Sequence, residues 1–173
     1  MSEAVSFLGR RTHSNTIKLD IRNGKISRYM GKTKPREDYD YAEGQVVDIN
    51  IRAQKGSKGM LSFLDVTFVN GAYRFIVSTF VSSGAASDMV SRLANIQDFA
   101  STIRIDAWPQ GKATKVTMSE SGKKVPFVPL PRVQKERHGT SIEYNFSDRD
   151  DAIVSMVAKI KSSLIDAKTP MHF

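Results

Sequence analysis

The chain has 173 residues, of which 40% are hydrophobic and 25% are charged, and it contains no cysteine. This length fits one domain with extensions, and the apolar fraction is sufficient for a buried core. The absence of cysteine excludes a disulfide scaffold, thiolate metal ligands and thiol catalysis. No apolar run reaches the roughly 18 residues that span a bilayer, and the N-terminus lacks a signal-peptide pattern. We therefore expect a cytoplasmic protein with no membrane partner.

The charge is strongly basic and unevenly distributed. The 26 Lys and Arg against 18 Asp and Glu give a net charge of +8, of which residues 1–36 carry +7, from nine basic and two acidic side chains. A second basic run covers residues 123–137. Such flanks are compatible with ordinary surface charge, but they also indicate a polyanionic partner, most often nucleic acid.

The first 42 residues are predicted to precede the main domain. Residues 1–15 are polar without a sustained period, which predicts a mobile basic arm. Residues 16–42 are predicted to form an N-terminal hairpin and a linker. The hairpin alternates over residues 16–22, turns at Asn23-Gly24, where both positions favour positive φ, and returns over residues 25–28.

The central part alternates with a period of two, interrupted by one helix. The predicted strands cover residues 45–52, 60–69, 72–81, 102–108 and 113–119, and the helix between the third and fourth strands carries Met89, Val90, Leu93 and Ile96. Alternation predicts that the following side chains point inward: Val47, Ile49, Ile51, Leu64, Val66, Phe68, Ile103, Ile105 and Ala107.

The order β-β-β-α-β-β is typical of the five-stranded OB barrel, although a small mixed sheet packed on one helix gives the same order. We predict a mainly β fold: an OB-type barrel over residues 43–130 with one internal helix, an added N-terminal β-hairpin and a C-terminal amphipathic helix. Residues 131–173 form the C-terminal extension, with the helix at about 148–165. Its apolar face, Ile153, Met156, Val157, Ile160 and Leu164, must be buried within the chain or on a partner.

Catalytic chemistry finds little support. His13, His138 and His172 lie in segments that look irregular and far from paired carboxylates, so a metal cluster is not expected. Gly31-Lys32-Thr33 ends like a phosphate-binding loop but lacks the glycine five positions earlier. We expect no enzyme activity, no catalytic residue, no metal and no cofactor.

Single-strand binding needs cations for phosphates and flat side chains for base stacking. Phe63 and Trp108 stand on the outward side of predicted strands, where the alternative is packing beneath the hairpin or the C-terminal helix. Lys55, Lys58 and Lys112 lie in the two loops that rim the binding groove of OB folds. The candidate nucleic-acid-binding residues are Arg52, Lys55, Lys58, Phe63, Tyr73, Arg74, Arg104, Trp108, Lys112, Lys115, Lys123 and Lys124.

Five short motifs are spaced along residues 43–130: Glu43-Gly44-Gln45-Val46-Val47, Asn70-Gly71, Leu93-Ala94-Asn95-Ile96, Ile103-Arg104-Ile105-Asp106-Ala107-Trp108 and Gly122-Lys123-Lys124-Val125-Pro126. In these motifs the segment resembles the OB-fold single-stranded DNA-binding proteins of bacteriophages. It implies a viral protein that coats single-stranded DNA in the host cytoplasm during replication or recombination and meets proteins of those processes. The acidic tail of many such proteins is missing, since residues 161–173 hold one acid against two lysines.

Two alternatives stay open. The basic arm and the apolar helix face are also typical of a structural or assembly protein of a virion, whose arm would contact nucleic acid. RNA is an alternative to DNA as the bound strand, because contacts to the 2′-hydroxyl leave no sequence motif. A homo-oligomer is compatible with either function.

Overall fold

A computed structural model describes residues 16–168, and the arm predicted for residues 1–15 lies outside this range. The fold is mainly β. Its strands are β1 Thr16–Arg22, β2 Lys25–Arg28, β3 Glu37–Tyr39, β4 Tyr41–Gly56, β5 Gly59–Asn70, β6 Tyr73–Phe80, β7 Ile103–Gln110, β8 Ala113–Glu120, β9 Lys123–Lys124, β10 Gln134–His138 and β11 Ser141–Asn145. Its helices are α1 Gly84–Leu93 and α2 Ser147–Lys168. Neither helix is both long and apolar enough to cross a bilayer.

Nine strands form one sheet in the order β3-β2-β1-β6-β5-β4-β7-β8-β9, and this sheet is not closed into a barrel. The expectation of a closed five-stranded barrel is therefore corrected. Closure would require β6 to pair with β8, but β1 pairs in parallel with β6 over Thr16–Asp20 and occupies that edge. The facing edge of β8 is covered by α1, whose Asp88 carboxylate accepts the backbone N–H of Val116 at 3.0 Å.

The predicted N-terminal hairpin is present, with Asn23 and Gly24 at φ +50° and +73° in its turn. It is part of the main sheet, because β1 continues the ladder beyond β6. The following segment, predicted as a linker to residue 42, contains β3 and the start of β4. The short exposed strand Glu37–Tyr39 was missed because it has no alternating apolar side chains.

The core confirms most of the inward positions. Leu64, Val66 and Phe68 are fully buried, and the ring of Phe68 stacks on Phe75 at a centroid distance of 5.0 Å. Val47 is a correction: a β-bulge between Val46 and Asp48 adds one residue, so Val46 points inward in its place. Beyond the bulge the alternation continues, and Ile49 is buried as predicted.

Both predicted helices bury most of the apolar face expected of them, whereas Ile96, which lies beyond the end of α1, and Met156 are partly buried. Ser83 caps α1 by accepting the N–H of Ala86 at 3.1 Å. Helix α2 packs against β4 and α1 and buries Ile153, Val157, Ile160 and Leu164. The apolar face of α2 is therefore covered within the chain, so it does not need a partner for this purpose.

Candidate nucleic-acid interface

The twelve predicted binding residues divide among three places. The β7–β8 surface carries Arg104, Trp108, Lys112, Lys115, Lys123 and Lys124; the ribbon surface on β4 and β5 carries Arg52, Lys55, Lys58 and Phe63; Tyr73 and Arg74 begin β6. The turn that joins β5 to β6, next to Tyr73, lies at one end of β5. The turn that joins β4 to β5, which contains Lys58, lies at the other end and forms the tip of the ribbon. The two ends are roughly 35 Å apart along a strand of this length. The structure therefore does not bring all twelve side chains onto one continuous site.

The outer face of β7 and β8 is built by simple alternation. Ile103, Ile105 and Ala107 face the core, so Arg104, Asp106 and Trp108 face outward. Across the ladder, Trp108 is paired with Lys115. Arg104 is paired with Ser119, which is paired on its other side with Lys124. Trp108 retains 43% of its exposure, so its ring is accessible beside the lysine.

A second flat side chain lies on the same face. Tyr41, at the start of β4, is paired with Asp106. The guanidinium of Arg104 lies 3.8 Å from the centre of the Tyr41 ring and donates to the Asp106 carboxylate at 2.8 Å. This hydrogen bond raises the pKa of Arg104 above its ordinary value. The side chain is thereby held as a fixed, charged plate upon the tyrosine.

The remaining cations of the β7–β8 surface differ in whether a carboxylate lies beside them. The Lys115 ammonium lies 3.8 Å from an oxygen of Asp88. Within residues 16–168, no ion pair engages Lys112, Lys123 or Lys124. These three lysines are exposed and hold positive charge that a polyanion could neutralise.

On the ribbon surface, Arg52 and Phe63 are directly paired across β4 and β5. Arg52 donates to Asp65 at 2.7 Å, which raises its pKa, and its guanidinium lies 4.7 Å from the centre of the Phe63 ring. Phe63 in turn contacts Phe80 at a centroid distance of 4.7 Å. Phe63 is therefore partly covered by its neighbours, whereas Phe80, which sequence reasoning did not select, is half-exposed.

The tip of the ribbon presents Lys55 and Lys58 beside the exposed side chains of Met60 and Leu61. Tyr73 and Arg74 are exposed at the opposite end of the sheet. Sequence reasoning missed Tyr41 because it was assigned to the linker, and Phe80 because both faces of the third predicted strand are apolar. The three tyrosines in residues 29–42 were the feature of the sequence that could have pointed to Tyr41.

Among residues 16–168, one group of side chains has the ligand atoms that a metal ion needs. It corrects the expectation that His138 lies in an irregular segment far from paired carboxylates. The β10–β11 register places Glu136 opposite Glu143, and the Nε2 atom of His138 lies 3.5 Å and 3.3 Å from their carboxylates. The three ligand atoms lie within 4.8 Å of one another. All three side chains are exposed, so they also form an ordinary surface ion-pair group. His13 and His172 lie outside the described residues.

Comparison of the chain with protein-family models, with curated proteins and with solved structures finds no match. The likeness of residues 43–130 to phage single-strand-binding proteins therefore remains an expectation from motifs. A fold by itself does not specify an activity, so the chemistry of the site is what bears on function.

Proposed function

We propose that this protein binds single-stranded DNA without sequence preference and coats it during replication or recombination. The observation that carries the proposal is the pairing of Trp108 with Lys115 on an exposed sheet face. An aromatic ring can stack on the base of a nucleotide, and a cation beside the ring can contact the phosphate of the same nucleotide. Neither contact reads base identity, so binding would tolerate any sequence.

The surroundings of Trp108 support the same reading. Tyr41 is paired with Asp106, two residues before Trp108 on β7. Diagonal neighbours of this kind are about 7 Å apart, so two successive bases could each meet a flat group. The plate formed by Arg104 on Tyr41 adds a cation–π surface. The exposed Lys124, in the same row as Arg104, adds a phosphate contact.

The strand order supports an OB-type arrangement as the finer description of the fold. The five strands β6-β5-β4-β7-β8 are consecutive neighbours in the sheet, and α1 connects the third of them in sequence to the fourth. In this proposal the barrel is opened between β6 and β8. The two connections that rim the groove of OB folds are then the β4–β5 tip, with Lys55 and Lys58, and the β7–β8 turn, with Lys112.

The test is fluorescence anisotropy with labelled oligo-dT, a duplex of the same length and an RNA oligomer. We expect the tightest binding to single-stranded DNA, together with quenching of the chain's single tryptophan, Trp108. Trp108→Ala should weaken binding by roughly 1–3 kcal/mol, the usual value of one base stack. Tyr144→Ala, which removes an exposed aromatic ring from β11, is the matched control.

Equal affinity for duplex, or tryptophan emission that ignores bound oligo-dT, would contradict the proposal. Tighter binding to the RNA oligomer would favour the RNA-binding alternative. Light scattering on the protein without DNA tests the assembly alternative, which requires large ordered homo-oligomers.

A further inference from the structure

Residues 125–128 form a rigid support for an exposed aromatic ring. The three prolines at positions 126, 129 and 131 predict an extended tether. In the structure, however, hydrogen bonds attach residues 125–128 to β8, to α1 and to the segment that follows α1. The hydrogen bonds run from the Val125 N–H to Met118 O at 2.9 Å, from Asn95 Nδ2 to Pro126 O at 2.9 Å and from the Val128 N–H to Ser91 O at 2.9 Å. The ring of Phe127 remains 63% exposed between these attachments.

Phe127 lines a groove between α1, the edge of β8 and the start of α2. The groove has a volume of about 580 Å³. Its charged lining consists of Asp88, Arg92, Lys115, Arg132 and Arg149. Four cations against one acid give the lining a net positive charge, which favours a polyanionic ligand.

Three of the four cations keep their charge available: among residues 16–168 no ion pair engages Arg92, Arg132 or Arg149, whereas Lys115 lies 3.8 Å from Asp88. Arg92 donates to backbone carbonyls of Val116 and Val125 at 3.3 Å and 3.4 Å, and its guanidinium lies 5.6 Å from the centre of the Phe127 ring. Arg149 donates to the carbonyl of Ser82. Carbonyl partners orient a guanidinium without neutralising it, unlike the carboxylates that engage Arg52 and Arg104.

Lys115 connects this groove with the β7–β8 surface, because it lines the groove and is paired with Trp108. We propose that the groove holds a second stretch of the same single strand, with a base stacked on Phe127 and phosphates near Arg132 and Arg149. This inference rests on the proposed function and extends it by naming a second stacking residue and a path. A backbone held before binding loses little entropy when the base stacks.

The test uses oligo-dT of two lengths, about 5 and about 15 nucleotides, within the range of single-strand site sizes, with Trp108 fluorescence as the readout. Phe127→Ala should weaken binding of the long oligomer by about 5- to 150-fold and leave the short oligomer's midpoint unchanged. Phe127→Tyr should restore the long oligomer's affinity, since the ring is retained. Tyr144→Ala should affect neither length.

The failures of the two proposals are distinguishable. Unchanged affinity of Phe127→Ala for the long oligomer, with Trp108→Ala still weakened in the anisotropy assay, would overturn the groove and leave the proposed function standing. Unchanged affinity in both variants would overturn both. Because Phe127 is mostly exposed, Phe127→Ala should melt at the same temperature as the parent protein. A lowered melting temperature, together with a Phe127→Tyr variant that does not regain affinity for the long oligomer, would also count against the groove.

Discussion

A Cβ atom placed on Gly24 would lie 2.7 Å from the Cβ atom of Pro109. The tip of the β1–β2 hairpin is therefore seated directly against the β7–β8 hairpin. The backbone N–H of Gly24 also donates to the side-chain oxygen of Thr114 at 2.8 Å. The β1–β2 turn therefore contacts β7 and β8 although neither β1 nor β2 is paired with those strands.

Gly24→Ala tests this contact. Gly24 has φ +73° and is crowded, whereas Gly71 has φ +59° and no neighbour within 4 Å of an added Cβ. A left-handed conformation costs an alanine about 1–2 kcal/mol, and overpacking adds roughly 1–3 kcal/mol. We expect urea unfolding to show a larger loss of stability for Gly24→Ala than for Gly71→Ala. Equal losses would mean that the turn can move away from Pro109.

The packing of α2 is tested by two valines of the same helix. Val157 is 5% exposed and Val154 is 48% exposed. Val157→Ala should lower the free energy of unfolding by about 2 kcal/mol, from two buried methyl groups and the space they leave. Val154→Ala should be neutral or slightly stabilising, because alanine has the higher helix propensity. Similar losses in both variants, measured by chemical denaturation, would contradict the burial of this face.

Tyr39 supplies a pH-dependent prediction. Its hydroxyl donates to Glu37 at 2.5 Å, and this hydrogen bond to a carboxylate raises the pKa of the phenol above its ordinary value of 10.0. Because the folded-state pKa is raised, the interaction is fully present below pH 10 and is lost as the pH rises through the folded value. A near-ultraviolet titration should show one tyrosine ionising late, and Glu37→Gln should shift it downward. An unchanged titration curve in this variant would contradict the assignment.

Salt dependence separates the two kinds of contact proposed for the β7–β8 surface. Lys124→Ala should reduce the slope of log K against log salt by about 0.7, the value of one phosphate contact on a single strand. Trp108→Ala should lower the affinity and leave the slope unchanged, because a base stack releases no counterion. Lys159→Ala, on an exposed part of α2, is the control for simple loss of charge. A slope that responds equally to Lys124→Ala and Lys159→Ala would indicate unspecific attraction.

Local pattern predicted the elements well where one face is buried. The alternation at Leu64, Val66 and Phe68 and the helical spacing of Ile153, Val157 and Ile160 both correspond to buried side chains. The turn at Asn23-Gly24 was predictable because positive φ at both positions favours these residues. The positions of Trp108 and Lys115 on one outer face follow from the same alternation and from the hairpin that joins their strands.

Tertiary structure decided which edges pair and which side chains meet. The parallel pairing of β1 with β6 leaves the sheet open, and it depends on a competition between segments more than 50 residues apart. The bulge at Val46, the plate of Arg104 on Tyr41 and the support beneath Phe127 also depend on partners in other elements of the fold. Periodicity acts between near neighbours, so the order of the residues is enough to predict which face of most strands and helices is buried. Strand edges lack that information, since their backbone donors and acceptors are alike in every residue except proline.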